Sequence, residues 1–146
     1  MLSPEHFDFC NKPKGVLDFH KYETQIATPV EEHLNECAFY AASKSVSHLH
    51  FTVSENHEKL FKKIIDEVKK KVENKTNTSL NVHYSYQNKS SDTIAVAMNN
   101  KPFRNENGQL HFRPGGHGAL IHNLNSLEAD VIFIKNIDNV IQNHIE

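Results

Sequence analysis

Two segments of the chain carry hydrophobic residues at helical spacing. In the first, Thr28, Pro29 and Glu31 form a capping box with proline at the first helical position. The apolar stripe that follows consists of Val30, Leu34, Cys37, Ala38 and Ala41. This pattern predicts an α-helix that buries one face.

An alternating segment separates this helix from the second one. Leu49, Phe51 and Val53 alternate with polar residues, which predicts a strand that ends near Ser54. Ser54 is then expected to cap a helix that runs to about Glu73. Its apolar face comprises Leu60, Phe61, Ile64, Ile65, Val68 and Val72. The lysines between these positions are interpreted as a solvated face, because they fall on the opposite side of the helix.

The rest of the chain alternates strand-like pieces with one further helix. Residues 80–87, 92–98 and 109–112 resemble short strands, and a helix is expected to carry Leu120, Leu124 and Leu127 on one side. The unbroken apolar run 130–134 is typical of a strand buried on both faces. We therefore predict one α/β domain over residues 1–146, a three-layer sandwich with a mostly parallel mixed sheet and helices on both faces.

Composition and charge narrow the range of partners. With 146 residues, 38% of them hydrophobic, the chain fits one globular domain. A formal net charge of -2 argues against a nucleic-acid partner. No apolar run approaches the roughly 20 residues of a membrane span, and no signal-peptide pattern opens the chain, so a cytoplasmic protein is expected. Cys10 and Cys37 lack a C-x-x-C partner and are expected to be reduced, with Cys37 in the core.

The segment 111–125, HFRPGGHGALIHNLN, concentrates glycines and histidines. The spacing of its histidines matches no recognised zinc motif, and neither a Walker loop nor a dinucleotide fingerprint is present. Its glycines, Gly115, Gly116 and Gly118, allow the backbone to approach a flat or anionic ligand at the start of the next helix. A tight strand-to-helix turn without function is the alternative interpretation.

Open α/β sheets bind ligands beyond the carboxyl ends of their strands. Three other segments are predicted to lie at such positions. Lys14 could supply positive charge to a phosphate, although a loop lysine is more often only solvated. Gln87 could read the edge of a base with its amide. Asp138 could bind a divalent cation next to a phosphate, or it could simply cap a short helix. Each signal alone is weak.

Taken in order, these segments resemble a known family. FRPGGHGALIHNLN followed by VIFIKNIDN is similar to the P-x-G-H-G and N-x-D-N segments of the eukaryotic-type UDP-glucose and UDP-N-acetylhexosamine pyrophosphorylases. Further segments in the same order are PKGVL, LHFTVSENH and SYQNKSSDTIAV. The chain resembles even more closely an uncharacterised bacterial family described only as a domain of unknown function.

The resemblance implies a nucleotide-diphospho-sugar transferase (GT-A) fold and a reaction of UTP with a sugar 1-phosphate that releases pyrophosphate. It implies that Lys14 is catalytic through contact with phosphate, that Asn136 binds the sugar and that Asp138 binds Mg²⁺. The remaining nucleotide-binding residues that it implies are Gln87, Gly115, Gly116, His117 and Gly118.

Departures from the family pattern leave two classes of function open. No glycine precedes Gly15, so the family's triphosphate loop is missing, and Ala119 occupies the position of an acidic residue. The chain also ends soon after Asp138, and we expect it to be part of a longer protein with little transferase activity alone. The first class is an incomplete nucleotidyltransferase domain, and the second is a non-catalytic domain that binds a nucleotide or sugar nucleotide. A histidine-based zinc hydrolase is a distant third hypothesis.

Overall fold

A computed structural model describes residues 11–142, which form an α/β arrangement. In chain order the helices and strands are β1 His20–Lys21, β2 Ile26–Ala27, α1 Pro29–Tyr40, β3 Ala42–Ser43, β4 Val46–Thr52, α2 Glu58–Thr76, β5 Ser79–Ser85, β6 Thr93–Ile94, β7 Phe112–Arg113 and α3 Ile121–Asn125. Short 3-10 turns lie at Lys14–Val16, Lys89–Ser91 and His117–Leu120.

Helix α1 begins where the capping box predicts. The Thr28 hydroxyl accepts a hydrogen bond from the Glu31 backbone N–H at 3.3 Å, and Pro29 occupies the first helical turn. The predicted stripe is confirmed in part, since Val30, Leu34 and Cys37 are buried. The helix buries more than this stripe, because the β1–β2 hairpin also contacts its first turn through side-chain hydrogen bonds.

Helix α2 begins later than predicted. Ser54 does not cap it, because residues 54–57 form a turn in which the Ser54 hydroxyl bonds the His57 ring at 2.7 Å. The helix then runs to Thr76 and ends at Asn77, whose backbone is left-handed with φ 50°. Three residues of its predicted face, Phe61, Ile65 and Val72, are buried against the rest of the domain.

The central sheet has the order β3-β4-β5 and is mixed, as predicted. Strands β4 and β5 are parallel and are joined through α2, whereas β3 is antiparallel to β4. The buried residues of β4 alternate with exposed ones, so one face of the sheet packs against the helices. The core consists of Val30, Leu34, Cys37, Leu49, Phe51, Val53, Phe61, Ile65, Val72 and Leu80.

The predicted three-layer sandwich is not what the described residues form. Helices α1 and α2 share one core and cover the same face of the sheet. His48 and His83 lie on the opposite face, where their rings stack at 6.0 Å and remain exposed. Only the β4–α2–β5 crossover is present within residues 11–142, and one crossover places a helix on one face.

The apolar run 130–134 was predicted to be a buried strand, and this prediction is wrong for the described structure. These residues form neither helix nor strand, and Val131, Phe133 and Ile134 are exposed. The helix after the glycine-rich segment is also shorter than expected, because a 3-10 turn forms its start and α3 spans only Ile121–Asn125. The strand-like segments 92–98 and 109–112 contribute only the short β6–β7 pair and isolated bridges.

Among the described residues Cys37 is buried and unbridged, as expected, and its thiol donates to the Leu34 carbonyl oxygen. Cys10 and most of the N-terminal stretch lie outside the described residues. Between residues 11 and 142, no helix has the length and apolar character needed to cross a membrane.

Candidate functional site

Lys14 and Asp138 are 124 residues apart in the sequence and form an ion pair in the structure. The Lys14 ammonium donates to Asp138 Oδ2 at 3.1 Å, and the two side chains are 74% and 43% exposed. The hydrogen bond from Lys14 holds the pKa of Asp138 below its ordinary value. Because both side chains are exposed, the pair contributes little to stability, and both charges are accessible to an incoming ligand.

Gly15 and Ile137 lock the two turns that carry this pair. Gly15 is buried, and a Cβ at this position would lie 2.7 Å from Phe61 Cζ and 3.0 Å from Ile137 Cγ1. The Ile137 side chain packs against the hydrophobic core. Because both neighbours of the ion pair are fixed in this way, the backbone positions of Lys14 and Asp138 are fixed relative to one another.

Helix α1 contacts the segment 133–138, which carries Asp138. Phe133 contacts the Tyr40 ring at 5.1 Å, and the Lys135 ammonium donates to Glu36 Oε1. His33 Nε2 donates to the Ile137 carbonyl oxygen at 3.1 Å. From Phe133 to Ile137, the contacts on α1 move from Tyr40 back to His33. The segment therefore runs antiparallel to α1.

Gln87 and the glycine-rich segment form a second group. Gln87 Nε2 donates to Ser91 Oγ at 3.1 Å. A Cβ at Gly115 would lie 2.8 Å from the Ser91 carbonyl oxygen and 3.5 Å from Gln87 Nε2. Gly115 is therefore required by the contact between two loops, which brings Gln87 beside the glycine-rich backbone.

The remaining predicted residues are exposed. A Cβ at Gly116 or Gly118 would meet no atom within 4 Å, so the backbone there is open to a ligand. His117 begins the 3-10 turn His117–Leu120, and Asn136 lies beside the ion pair in sequence. These positions suit ligand contact, but the structure assigns them no role.

Both groups of residues are attached to the first turns of α2. The hydroxyl of Tyr86, which precedes Gln87, donates to the Glu58 carboxylate. Phe61, three residues further along α2, contacts the Gly15 turn. Helix α2 thus links the lysine–aspartate pair to the glutamine–glycine group.

A family profile matches the whole chain. The profile is that of a domain of unknown function, DUF4301, and the match covers residues 1–146. The chain belongs to the DUF4301 family. No curated protein and no solved structure matches it significantly, so the relation of the DUF4301 domain to UDP-sugar pyrophosphorylases stays a hypothesis.

Sequence reasoning about the DUF4301 domain missed a buried polar cluster on α1. The Glu32 side chain is almost fully buried, and its Oε1 accepts hydrogen bonds from Tyr22 at 2.6 Å and from His20 at 2.8 Å. Glu32 Oε2 has no hydrogen-bond partner among residues 11–142. The only available signal was the pair of acidic residues in the first turn, which also suits the helix dipole.

Two histidines should make the stability of the DUF4301 domain depend on pH. Burial lowers the pKa of His33 and of His50 below the ordinary value of about 6.5. The unfolded chain then binds more protons than the folded chain as pH falls below about 6.5, so the free energy of unfolding should decrease there. Burial raises the pKa of Glu31, which acts in the opposite direction at lower pH.

Urea denaturation from about pH 7.5 to about pH 5.5 measures this effect. We expect the unsubstituted chain to lose stability over this range, and a His33→Gln, His50→Gln chain to lose less. Comparing the two chains removes the contribution of Glu31, which both contain. Equal pH dependence in both would show that these histidines are not responsible.

Proposed function

We propose that the DUF4301 domain binds the phosphates of a nucleoside triphosphate, UTP by resemblance, and contributes to nucleotidyl transfer onto a sugar 1-phosphate. The observation that supports this most is the Lys14–Asp138 ion pair, which joins the two residues given phosphate and metal roles by separate motifs. An exposed ammonium beside an exposed carboxylate offers one group to phosphate and one to a cation that phosphate brings with it.

The proposed reaction needs positioned charge more than covalent chemistry. An oxygen of the sugar 1-phosphate attacks the α-phosphorus of UTP, the new O–P bond forms, and the bond to the β-phosphate oxygen breaks. Pyrophosphate leaves with the electron pair of that bond. Lys14 would neutralise charge on the phosphates during this transfer, because a fixed cation stabilises charge that develops in the transition state.

The second group would hold the nucleoside. The Gln87 amide and the backbone at Gly115 and Gly116 are proposed to contact the uracil edge. The open backbone at Gly118 and the exposed His117 ring would face phosphate or sugar. By resemblance, Asn136 would contact the sugar; it lies two residues before Asp138.

Mg²⁺ fits this site only together with a ligand. In the segment 11–142, no three His, Cys, Asp or Glu side chains form a cluster able to hold a metal. Mg²⁺ commonly uses one or two carboxylates together with water and substrate phosphates. Asp138 would therefore bind the ion with the nucleotide, and the chemistry that Mg²⁺ supplies is neutralisation of phosphate charge.

The second candidate is a domain that binds a nucleotide or sugar nucleotide without catalysis. It is favoured by the lack of any cluster of three His, Cys, Asp or Glu side chains among the described residues and by Ala119, which provides no acidic side chain. Release of pyrophosphate from UTP, assayed with a panel of sugar 1-phosphates, separates the candidates. Binding without pyrophosphate release would favour the second.

Calorimetric titration with Mg²⁺–UTP tests the binding site. Lys14→Ala should weaken affinity about 10- to 100-fold, because a hydrogen bond to a charged group contributes about 1.5–3 kcal/mol. Asp138→Asn should weaken binding mainly when Mg²⁺ is present. Neither change should lower stability appreciably, since the pair is exposed.

The pair Lys63–Glu67 on α2 provides matched controls. Its side chains are 73% and 60% exposed, close to those of the proposed site. Lys63→Ala and Glu67→Gln should leave affinity unchanged. The proposal fails if the unsubstituted chain gives no heat with Mg²⁺–UTP or other nucleoside triphosphates, or if the control pair matters as much as Lys14 and Asp138.

A further inference from the structure

The segment that carries Asn136 and Asp138 has little regular structure of its own. Residues 131–136 belong to no helix or strand, and a turn follows in which the Asn139 N–H donates to the Asn136 carbonyl oxygen at 3.0 Å. A backbone without helix or strand pairing needs other partners to hold one conformation. Those partners come from the side of α1 that faces the segment.

His33 provides the most direct of these contacts. The residue is only 8% exposed, and its ring packs edge-on against Phe51 in the core at 6.3 Å. Its Nε2 donates to the carbonyl oxygen of Ile137 at 3.1 Å. Ile137 lies between Asn136 and Asp138, so this hydrogen bond fixes the peptide that leads directly into Asp138.

Glu36 completes the support one helical turn later. Its Oε1 lies 3.4 Å from His33 Nδ1, accepts from Tyr40 Oη at 3.0 Å, and also accepts from the Lys135 ammonium. The Glu36 carboxylate thus fixes the start of the segment through Lys135, and it lies beside the His33 ring. Charge-assisted hydrogen bonds of this kind are stronger and more directional than neutral ones.

We propose that His33 is a positioning residue for the candidate site, holding Asp138 opposite Lys14 through its hydrogen bond to the Ile137 carbonyl. This role rests on the proposed function of Lys14 and Asp138. His33 itself is not placed in contact with ligand. Glu36 and Lys135 act with it, because their ion pair fixes the preceding residues of the segment.

Two substitutions separate the hydrogen bond from the bulk of the side chain. His33→Leu keeps an apolar group of similar size but removes the N–H donor. His33→Gln places an amide N–H the same number of bonds from Cβ as Nε2 of histidine. If only packing mattered, the two variants would behave alike. If the hydrogen bond positions the segment, glutamine should restore what leucine loses.

Hydrogen–deuterium exchange over residues 135–139 and the affinity for Mg²⁺–UTP are the two measurements. We expect faster exchange in this segment and an affinity about 10- to 100-fold weaker in the His33→Leu chain, the range typical of residues that orient a metal ligand. Both values should return close to those of the unsubstituted chain in His33→Gln. If the leucine chain does not fold, His33→Asn, whose amide is too short to reach the carbonyl, replaces it.

The two proposals fail in different ways. Equal exchange and equal affinity in the leucine and glutamine chains would overturn the positioning role. Faster exchange in the leucine chain with rescue by glutamine, but no binding of Mg²⁺–UTP by the unsubstituted chain, would reject the nucleotide site and support the role of His33 in ordering the segment.

Discussion

Replacing Gly15 with valine is expected to lower the free energy of unfolding by about 1–3 kcal/mol, the usual result of adding atoms to a filled core. A Cβ alone would already lie 2.7 Å from Phe61 Cζ, closer than real contacts allow, and 3.0 Å from Ile137 Cγ1, a tight contact. Valine adds two methyl groups where the first carbon has no room. Either Phe61 or the Ile137 turn must then move.

The same change should abolish the Lys14–Asp138 contact, because Gly15 adjoins Lys14 and Ile137 adjoins Asp138. Urea denaturation measures the first effect, and titration with Mg²⁺–UTP measures the second. Gly116→Ala is the control for the stability measurement only, since a Cβ there meets no atom within 4 Å and the backbone φ is −73°. Gly116 itself belongs to the proposed nucleotide site. A Gly15→Val chain as stable as the Gly116→Ala chain would show that the packing at Gly15 is not rigid.

Replacing Leu34 with alanine is expected to cost about 2–5 kcal/mol, a large part of the stability of a domain this size. Leu34 is 0% exposed and belongs to the core shared by α1, α2 and the sheet. Removing its side chain leaves a cavity between α1, α2 and the sheet, and all three would have to move to fill it. Since each kcal/mol shifts the melting temperature by about 2–4 °C in larger domains, a decrease of roughly 10 °C is expected.

Leu60→Ala is the control for this prediction. Leu60 lies on α2 and is 37% exposed, so the same deletion there removes less buried surface. Thermal denaturation of the two variants should show a clearly larger decrease for Leu34→Ala. Equal decreases would mean that the stability of the chain is not concentrated in this core.

The parts of the fold that sequence predicts well depend on local chemistry. The start of α1 follows from Thr28, Pro29 and Glu31, which interact only with one another and with the adjacent backbone. The start of α2 was less determined, because Ser54 can cap a helix or bond the His57 ring in a turn. The helix cap and the turn are both short-range structures with similar hydrogen bonds. The local sequence is compatible with either one.

The apolar run 130–134 shows where pattern is insufficient. Its β-branched and aromatic residues predict a strand, but a strand also needs a neighbour with which its backbone can pair. In the described structure the segment lies beside α1 without such a neighbour. Hydrophobic pattern indicates what a segment would bury, whereas pairing depends on the arrangement of the whole chain.

Sequence motifs name the candidate site residues one by one but do not give their arrangement. Lys14 and Asp138 were chosen by motif, and their contact depends on the packing of Gly15 and Ile137 far apart in sequence. His33 was missed because it is polar and flanks one side of the apolar stripe of α1. That side is covered by the segment containing Ile137, which no periodicity within α1 could indicate.

The exposed run Val131–Ile134 also affects how the protein behaves at high concentration. Four consecutive apolar residues with strong β propensity and an unpaired backbone match the composition that drives intermolecular cross-β aggregation. Asp130 and Lys135 border the run directly, and charges in these positions act as gatekeepers that oppose such stacking. The two flanking charges therefore protect the solubility of a segment that the rest of the described chain leaves uncovered.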